Sequence, residues 1–188
     1  IIVEGGLSLK GEVKISGSKN AVLPIMAATL LHPDVYRISR VPNLRDVKTM
    51  SRLLEILGAK VENEEDSFII DTRTVTQWEA PYEIVSTMRA SVCVLGPLLA
   101  RFGKAKVSYP GGCVIGTRPI DLHLKGIKML GAEIKMQGGY IYAESSRLQG
   151  KRIYLGGPFG PTVLGTANVM MAAVKAEGET IIENAACE

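Results

Sequence analysis

One thiol in this chain sits where a chemically active cysteine belongs. In Pro110-Gly111-Gly112-Cys113-Val114-Ile115-Gly116-Thr117-Arg118-Pro119, Cys113 lies in a glycine-rich loop, five residues ahead of an arginine expected to open a helix. Glycines let such a loop take positive φ and bring its backbone amides close to a ligand. The cation and the helix N-terminus both act to lower the thiol pKa. A free cysteine is more often a small buried hydrophobe. The neighbours of Cys113 form no apolar face, so the reactive reading is the better one, whereas Cys93, within Ser91-Val92-Cys93-Val94-Leu95, fits the buried reading. Cys187 has no informative neighbours.

Cations recur at expected helix starts: Lys19, Arg89 and Arg118, with Arg45 as a fourth. A helix N-terminus offers unpaired N–H groups and a positive dipole end, and a cation beside it makes a site for phosphate or carboxylate. A lone surface cation is usually just solvated. Recurrence at equivalent positions argues against that for Lys19, Arg89 and Arg118, while Arg45 keeps it. Asp121 either stabilises its helix dipole or contacts a ligand, and its position fits both. His123 is a possible proton-transfer group, with a satisfied helix histidine slightly favoured. His32, in a turn before Pro33, is discounted. No Gly-x-Ser-x-Gly elbow, Gly-x-x-x-x-Gly-Lys-Ser/Thr loop or Gly-x-Gly-x-x-Gly fingerprint occurs, so a serine hydrolase, a P-loop and a Rossmann dinucleotide site are unsupported.

An internal repeat positions these residues. Val47, Met50, Leu54 and Leu57 share one helical face, closed by Gly58 as a left-handed cap. The pattern returns: Arg45 and Arg118, Leu57 and Leu130, and Gly58 and Gly131 each stand 73 residues apart. Upstream helices are expected over 21–31 and 90–101, each leading into a strand, 35–38 and 104–109, and Lys19 and Arg89 stand 70 residues apart. A third unit begins with a helix over 161–173 and a strand over 179–183. Its Met171-Ala172-Ala173 lies 145 residues after Met26-Ala27-Ala28. Hairpins are expected from 60–62 with 67–71 and from 133–136 with 140–144. The units are therefore βαβαββ-like, and the helix over 90–100, apolar almost all round, belongs inside with the sheets outside it. Strands are also expected at 2–4 and 12–15.

At 188 residues, 46% apolar and 22% charged, the chain reads as globular. A dispersed net charge of +3 without interleaved aromatics argues against nucleic acid and for small anions. The longest uncharged apolar runs, 21–31 and 90–100, are too short to span a bilayer, and no signal-peptide pattern opens the sequence. Three cysteines without a CxxC pair suggest neither disulfides nor a metal site, which fits a reducing cytoplasm.

Four segments together carry a resemblance: Ser16-Gly17-Ser18-Lys19-Asn20-Ala21, Thr87-Met88-Arg89-Ala90-Ser91, the cysteine loop continuing through Asp121-Leu122-His123, and Ala176-Glu177-Gly178 followed by Thr180 and Ile182-Glu183-Asn184-Ala185. They resemble the UDP-N-acetylglucosamine 1-carboxyvinyltransferases, the enolpyruvyl transferases of bacterial peptidoglycan synthesis, along essentially the whole chain. The sister 5-enolpyruvylshikimate-3-phosphate synthases share the Gly-Ser-Lys start but are not expected to have the cysteine loop. The resemblance implies transfer of enolpyruvyl from phosphoenolpyruvate to the 3′-hydroxyl of UDP-N-acetylglucosamine. Phosphate is released through a tetrahedral ketal, without metal or cofactor. It implies an inside-out α/β barrel of six units in two domains with the site between them. This chain is then the N-terminal portion, and its partner is the C-terminal half of the same enzyme. Residues 1–17 would pair with that second domain, and 18–188 would form most of the catalytic domain.

By the same resemblance Lys19 and Asn20 hold phosphoenolpyruvate, Arg89 contacts the UDP-sugar, and Arg118 faces the phosphate or the sugar nucleotide. Arg118 with Pro119, Ile120, Asp121 and Leu122 resembles the uridine-binding segment. Cys113 is the general acid that protonates the methylene carbon and can become covalently attached; it is also the expected target of the epoxide fosfomycin. The general base, an aspartate, belongs to the absent half, so the fragment alone should be inactive. The chain departs from the family pattern at Gly160-Pro161-Thr162-Val163-Leu164-Gly165-Thr166, where the family has Ser-Val-Gly-Ala-Thr after a basic residue. Diphosphate contacts would then fall to Thr162, Val163 and helix amides.

Overall fold

The computed structural model describes every residue except Leu7, Leu9, Glu65, Asp66, 111–119, Phe159 and Glu188. In chain order the elements are α1 (Lys19–Ala28), β1 (Val35–Ser39), α2 (Arg45–Ile56), β2 (Lys60–Glu64), β3 (Ser67–Asp71), β4 (Glu79–Ala80), α3 (Tyr82–Val85), a 3₁₀ helix (Arg89–Val94), α4 (Leu95–Phe102) and β5 (Lys104–Ser108). They continue with α5 (Asp121–Met129), β6 (Glu133–Gln137), β7 (Tyr140–Glu144), β8 (Arg152–Tyr154), β9 (Gly156–Gly157), β10 (Gly160–Pro161), α6 (Val163–Ala173) and β11 (Ile181–Glu183).

The repeated Leu-Gly-Ala is a repeated helix stop. After α2, Gly58 takes φ 105° and donates its N–H to the Glu55 carbonyl at 2.9 Å, while the Thr74 hydroxyl donates to the Gly58 carbonyl at 2.7 Å. After α5, Gly131 takes φ 94° and donates to the Lys128 carbonyl at 2.9 Å. Positive φ at both positions is why glycine recurs there. Each stop leads into the expected hairpin, β2 with β3 and β6 with β7. β1 completes one antiparallel sheet in the order β1-β3-β2, and β5 and β4 complete another in the order β4-β5-β7-β6, with β4 parallel to β5. In the third unit β8 pairs in parallel with β11, and β9 with β10 as a short hairpin.

The helices lie inside. Every residue from Ala90 to Leu99 is buried, α6 packs between α4 and α5, and α1 packs on α2. The sheets flank them, burying Ile70, Ala105, Val107, Ile141 and Ala143 and turning Lys135, Lys106 and Tyr142 outward. The helices-inside, sheets-outside expectation therefore holds, with no sheet closing on itself among the described residues.

Two expectations are corrected. Within this chain residues 2–4 and 12–15 belong to no strand, and Val3, Val13 and Ile15 stand 85%, 82% and 81% exposed; the second domain expected to pair with them lies beyond this chain. Nor is the span over 90–101 one α-helix. Pro97 has no N–H to donate to the Cys93 carbonyl. The Gly96 N–H, which an α-helix would direct to the Val92 carbonyl, donates instead to Asn168 Oδ1 at 2.7 Å, and Asn168 Nδ2 donates to the Val92 carbonyl at 3.0 Å. A carboxamide from α6 is thus inserted into the helical ladder, a recognised cause of local departure from α geometry, and the segment before it winds as 3₁₀.

That insertion demands close approach. A Cβ on Gly96 would sit 2.2 Å from the Asn168 carbonyl oxygen, and one on Gly126 2.3 Å from Val169 Cγ2. Gly5, with open space around it, is the control. In the full-length protein Gly96→Ala and Gly126→Ala should each cost about 1–3 kcal/mol of stability, and Gly5→Ala close to nothing. Denaturant unfolding measures this, and equal midpoints for all three would contradict the crossing geometry.

Candidate active site

The expected site residues that the structure describes sit at or beside the first turns of inner helices. Ser18 caps α1, its Oγ accepting from the Ala21 N–H at 3.4 Å, so Lys19 and Asn20 open that helix on its exposed side. Lys19 Nζ lies 3.2 Å from Asp46 Oδ2 in the first turn of α2, with both side chains over a third exposed. Solvent screening makes such a pair weak, and Lys19 can exchange Asp46 for an anionic ligand at little cost. The Gly17 backbone closes against residue 40: a Cβ there would lie 1.9 Å from the Arg40 carbonyl oxygen, and Arg40 itself takes φ 58°.

Arg89 opens the 3₁₀ helix, half-buried, and its charge acts on both Cys93 and His123. Thr162 caps α6, Oγ1 accepting from the Gly165 N–H at 3.1 Å, and a Cβ on Gly165 would lie 2.3 Å from Thr162 Cγ2. Glycine is therefore required at 165, the third residue of α6. Thr166 fastens the same turn, its hydroxyl donating to the Thr162 carbonyl at 2.7 Å and accepting from the Ala186 N–H at 3.2 Å. Val163 is exposed at the helix start, and Leu164 places its carbonyl 3.9 Å from Cys93 Sγ, which donates to it.

Cys113, Arg118 and Pro119 lie outside the described residues, so the structure neither places them nor brings them to the other groups. The chain on either side is anchored: Pro110 and Ile120 are buried, and the Tyr109 N–H donates to the Gly139 carbonyl at 2.7 Å. The described α5 begins at Asp121, which is exposed in its first turn, while Leu122 faces Gly157, where a Cβ would lie 3.3 Å away.

His123 is the buried, satisfied histidine that was slightly favoured. It is 1% exposed, with Nδ1 3.1 Å from Asn168 Nδ2. Burial first, and then the Arg89 charge, push its pKa down to about 4 against a smaller opposing effect of Asp121, so the ring is neutral near pH 7. Burial likewise pushes the Cys93 thiol up to about 12, as its assignment to the core requires. Asn168 went unremarked in the sequence, although a lone carboxamide in the apolar run 167–173 is a signal. Arg101 was also missed: it ties α4 to the Leu30, Thr72 and Val75 carbonyls at 3.1–3.2 Å. Among the described residues no cluster of His, Cys, Asp or Glu could hold a metal ion, and no helix is long and apolar enough to cross a membrane.

A family model described as EPSP synthase (3-phosphoshikimate 1-carboxyvinyltransferase) matches residues 3–188. The chain belongs to the EPSP synthase family. Within that family it is 55% identical over 187 residues to UDP-N-acetylglucosamine 1-carboxyvinyltransferase of Methylacidiphilum infernorum (isolate V4), and 56% identical over 188 residues to the protein of that name from Thermodesulfovibrio yellowstonii. Each alignment takes in 100% of this chain and 44% of the relative, so the chain spans less than half the length of these relatives. Among solved structures the enolpyruvyl transferase NikO from Streptomyces tendae superposes with a TM-score of 0.78 at 20% identity, over 95% of this chain and 42% of that one. EPSP synthase from Acinetobacter baumannii superposes with a TM-score of 0.71 at 16% identity, over 98% and 43%. These two likenesses establish the fold shared across the EPSP synthase family.

The His123 environment makes a stability prediction. Its folded pKa of about 4 lies below the ordinary 6.5, so the folded state binds the proton more weakly than the unfolded chain. Its contribution is intact above pH 6.5 and is lost as pH falls toward 4, by roughly 3 kcal/mol in all. Between pH 7 and 4 the unfolding free energy of the wild type, measured in the full-length protein, should fall by about that much more than that of His123→Gln. Parallel curves would contradict a neutral buried imidazole.

Proposed function

We propose that the full-length protein containing this sequence transfers the enolpyruvyl group of phosphoenolpyruvate to the 3′-hydroxyl of UDP-N-acetylglucosamine, releasing phosphate, as the first committed step of peptidoglycan synthesis in the cytoplasm. The observation that carries this reading is the 55–56% identity, over the whole of this chain, with relatives named for that transfer. The Cys113 loop supports it independently, because the shikimate-directed sister enzymes are not expected to have one.

In this mechanism Lys19 and Asn20 hold phosphoenolpyruvate at the start of α1, where helix amides and the Lys19 cation face its anionic groups. Cys113 gives its thiol proton to the methylene carbon as the sugar 3′-oxygen bonds to the adjacent carbon. Protonation of an enol ether creates an oxocarbenium-like centre, and a positioned acid lowers that barrier. The sugar hydroxyl proton goes to an aspartate in the part of the enzyme beyond this chain. Loss of a methyl proton then expels phosphate, whose charge Arg118 and Lys19 stabilise. Arg89, the 119–122 segment and the Thr162–Val163 turn hold the sugar nucleotide. No metal or cofactor takes part. The C-terminal half completes the site, and residues 1–17 dock on it.

Phosphate release by the full-length enzyme tests the reading: turnover is expected with UDP-N-acetylglucosamine and not with shikimate 3-phosphate, and activity only with the latter overturns it. Arg118→Ala should lower kcat/KM by about 100-fold or more, the scale for losing a group that stabilises transition-state charge, and Arg45→Ala by far less; equal losses would remove Arg118 from the site. Fosfomycin should add its mass at Cys113 and leave Cys93 untouched, read by peptide mapping. Labelling at Cys93 instead would refute the assignment of the acid.

A further inference from the structure

Three segments expected to meet the sugar nucleotide converge on one side chain that meets none of it. Arg89 lies three residues before Val92, Asp121 two residues before His123, and Thr162 on the same helix as Asn168. Val92, Gly96 and His123 all bond to the Asn168 carboxamide, which is 0% exposed.

The orientation of that carboxamide follows from the backbone. The Gly96 N–H can only donate, so the atom 2.7 Å from it is the oxygen; the Val92 carbonyl can only accept, so the atom 3.0 Å from it is the nitrogen. Oxygen and nitrogen are thereby fixed without reference to the imidazole. The second hydrogen of Nδ2 is left for His123 Nδ1 at 3.1 Å, which must then be the lone-pair nitrogen of the ring. The ring proton is on Nε2, and the imidazole is a donor on its other side. All three hydrogen-bonding capacities of the carboxamide used here are satisfied, by groups from the 3₁₀ helix, α4 and α5, in a buried setting where satisfied networks hold geometry tightly.

We infer that Asn168 is a positioning residue for sugar-nucleotide binding: its carboxamide fixes the turn that presents Arg89 and locks His123, two residues after Asp121, as the Nε2–H tautomer. The inference rests on the transferase reading above. Asn168 acts only through these partners, so its loss falls on binding of the UDP-sugar and not on the chemical step.

The test uses the full-length enzyme with ¹⁵N-labelled histidine. In the wild type the His123 spectrum should show a protonated Nε2 and an unprotonated Nδ1. Asn168→Asp keeps an acceptor for Gly96 but loses the donor to Val92 and His123, so Nδ1 should become protonated. KM for UDP-N-acetylglucosamine should rise about tenfold, the scale of one lost buried hydrogen bond, with kcat and KM for phosphoenolpyruvate little changed. Asn168→Ser, which leaves room for water between Val92 and Gly96, should raise the same KM, and decides the matter if the aspartate variant does not fold. A wild-type His123 protonated on Nδ1, or unchanged KM in folded variants, overturns the inference. Absence of any wild-type turnover while the tautomer is as assigned overturns the transferase reading itself, and the positioning role with it.

Discussion

The interior is organised around a side chain that behaves as backbone. The Asn168 carboxamide takes the place of one peptide hydrogen bond between Val92 and Gly96, so α6 is joined to the helix it crosses by the same kind of bond that holds a helix together. Much of the rest follows. The crossing brings main chains so close that residue 96 must be glycine, and α5 must approach the other side of α6 through Gly126. A buried donor or acceptor left unpaired costs about 1–3 kcal/mol, and removal of Asn168 would strand groups on two further helices at once. The network therefore ties α6 to both α4 and α5.

The electrostatics of those helix starts divide into an adaptable part and a rigid part. Lys19 at α1 is exposed and holds Asp46 only through a screened contact, so its charge is easily redirected. Arg89 belongs to the rigid part: its charge reaches the buried His123 imidazole and the buried Cys93 thiol and lowers the pKa of each. Thr162 and Gly165 shape the α6 N-terminus so that the cap is satisfied from within while the side of Val163 stays open.

What was legible in the sequence was whatever is decided locally. The α2 face, the Gly58 and Gly131 stops after α2 and α5 and the two hairpins depend on periodicity and on φ requirements within a few residues, and all were read correctly. The 3₁₀ turn over Arg89–Val94 was not, because its cause, Asn168, stands 72 residues from Gly96. Residues 2–4 and 12–15 have the alternation of strands, yet they join none of the described sheets, although β1 and β2 each keep an unpaired edge there. Of the candidate site residues, Lys19, Arg89 and Asp121 were visible as helix-start chemistry and Cys113 as a thiol among glycines, whereas Thr162 entered only through the resemblance. Roles for individual residues came from the resemblance. Asn168 and Arg101 do their work through partners distant in sequence, so residue type alone did not mark them.

The central claim is that the carboxamide is a true rung of the ladder, and amide hydrogen exchange at Gly96 in the full-length protein addresses it directly. If the bond to Asn168 Oδ1 is as firm as a helical one, that amide should exchange only on global unfolding, together with the α4 core amides. Exchange at Gly96 as fast as at the exposed Val3 and Val13 would show that the rung is open in solution, and would contradict the account.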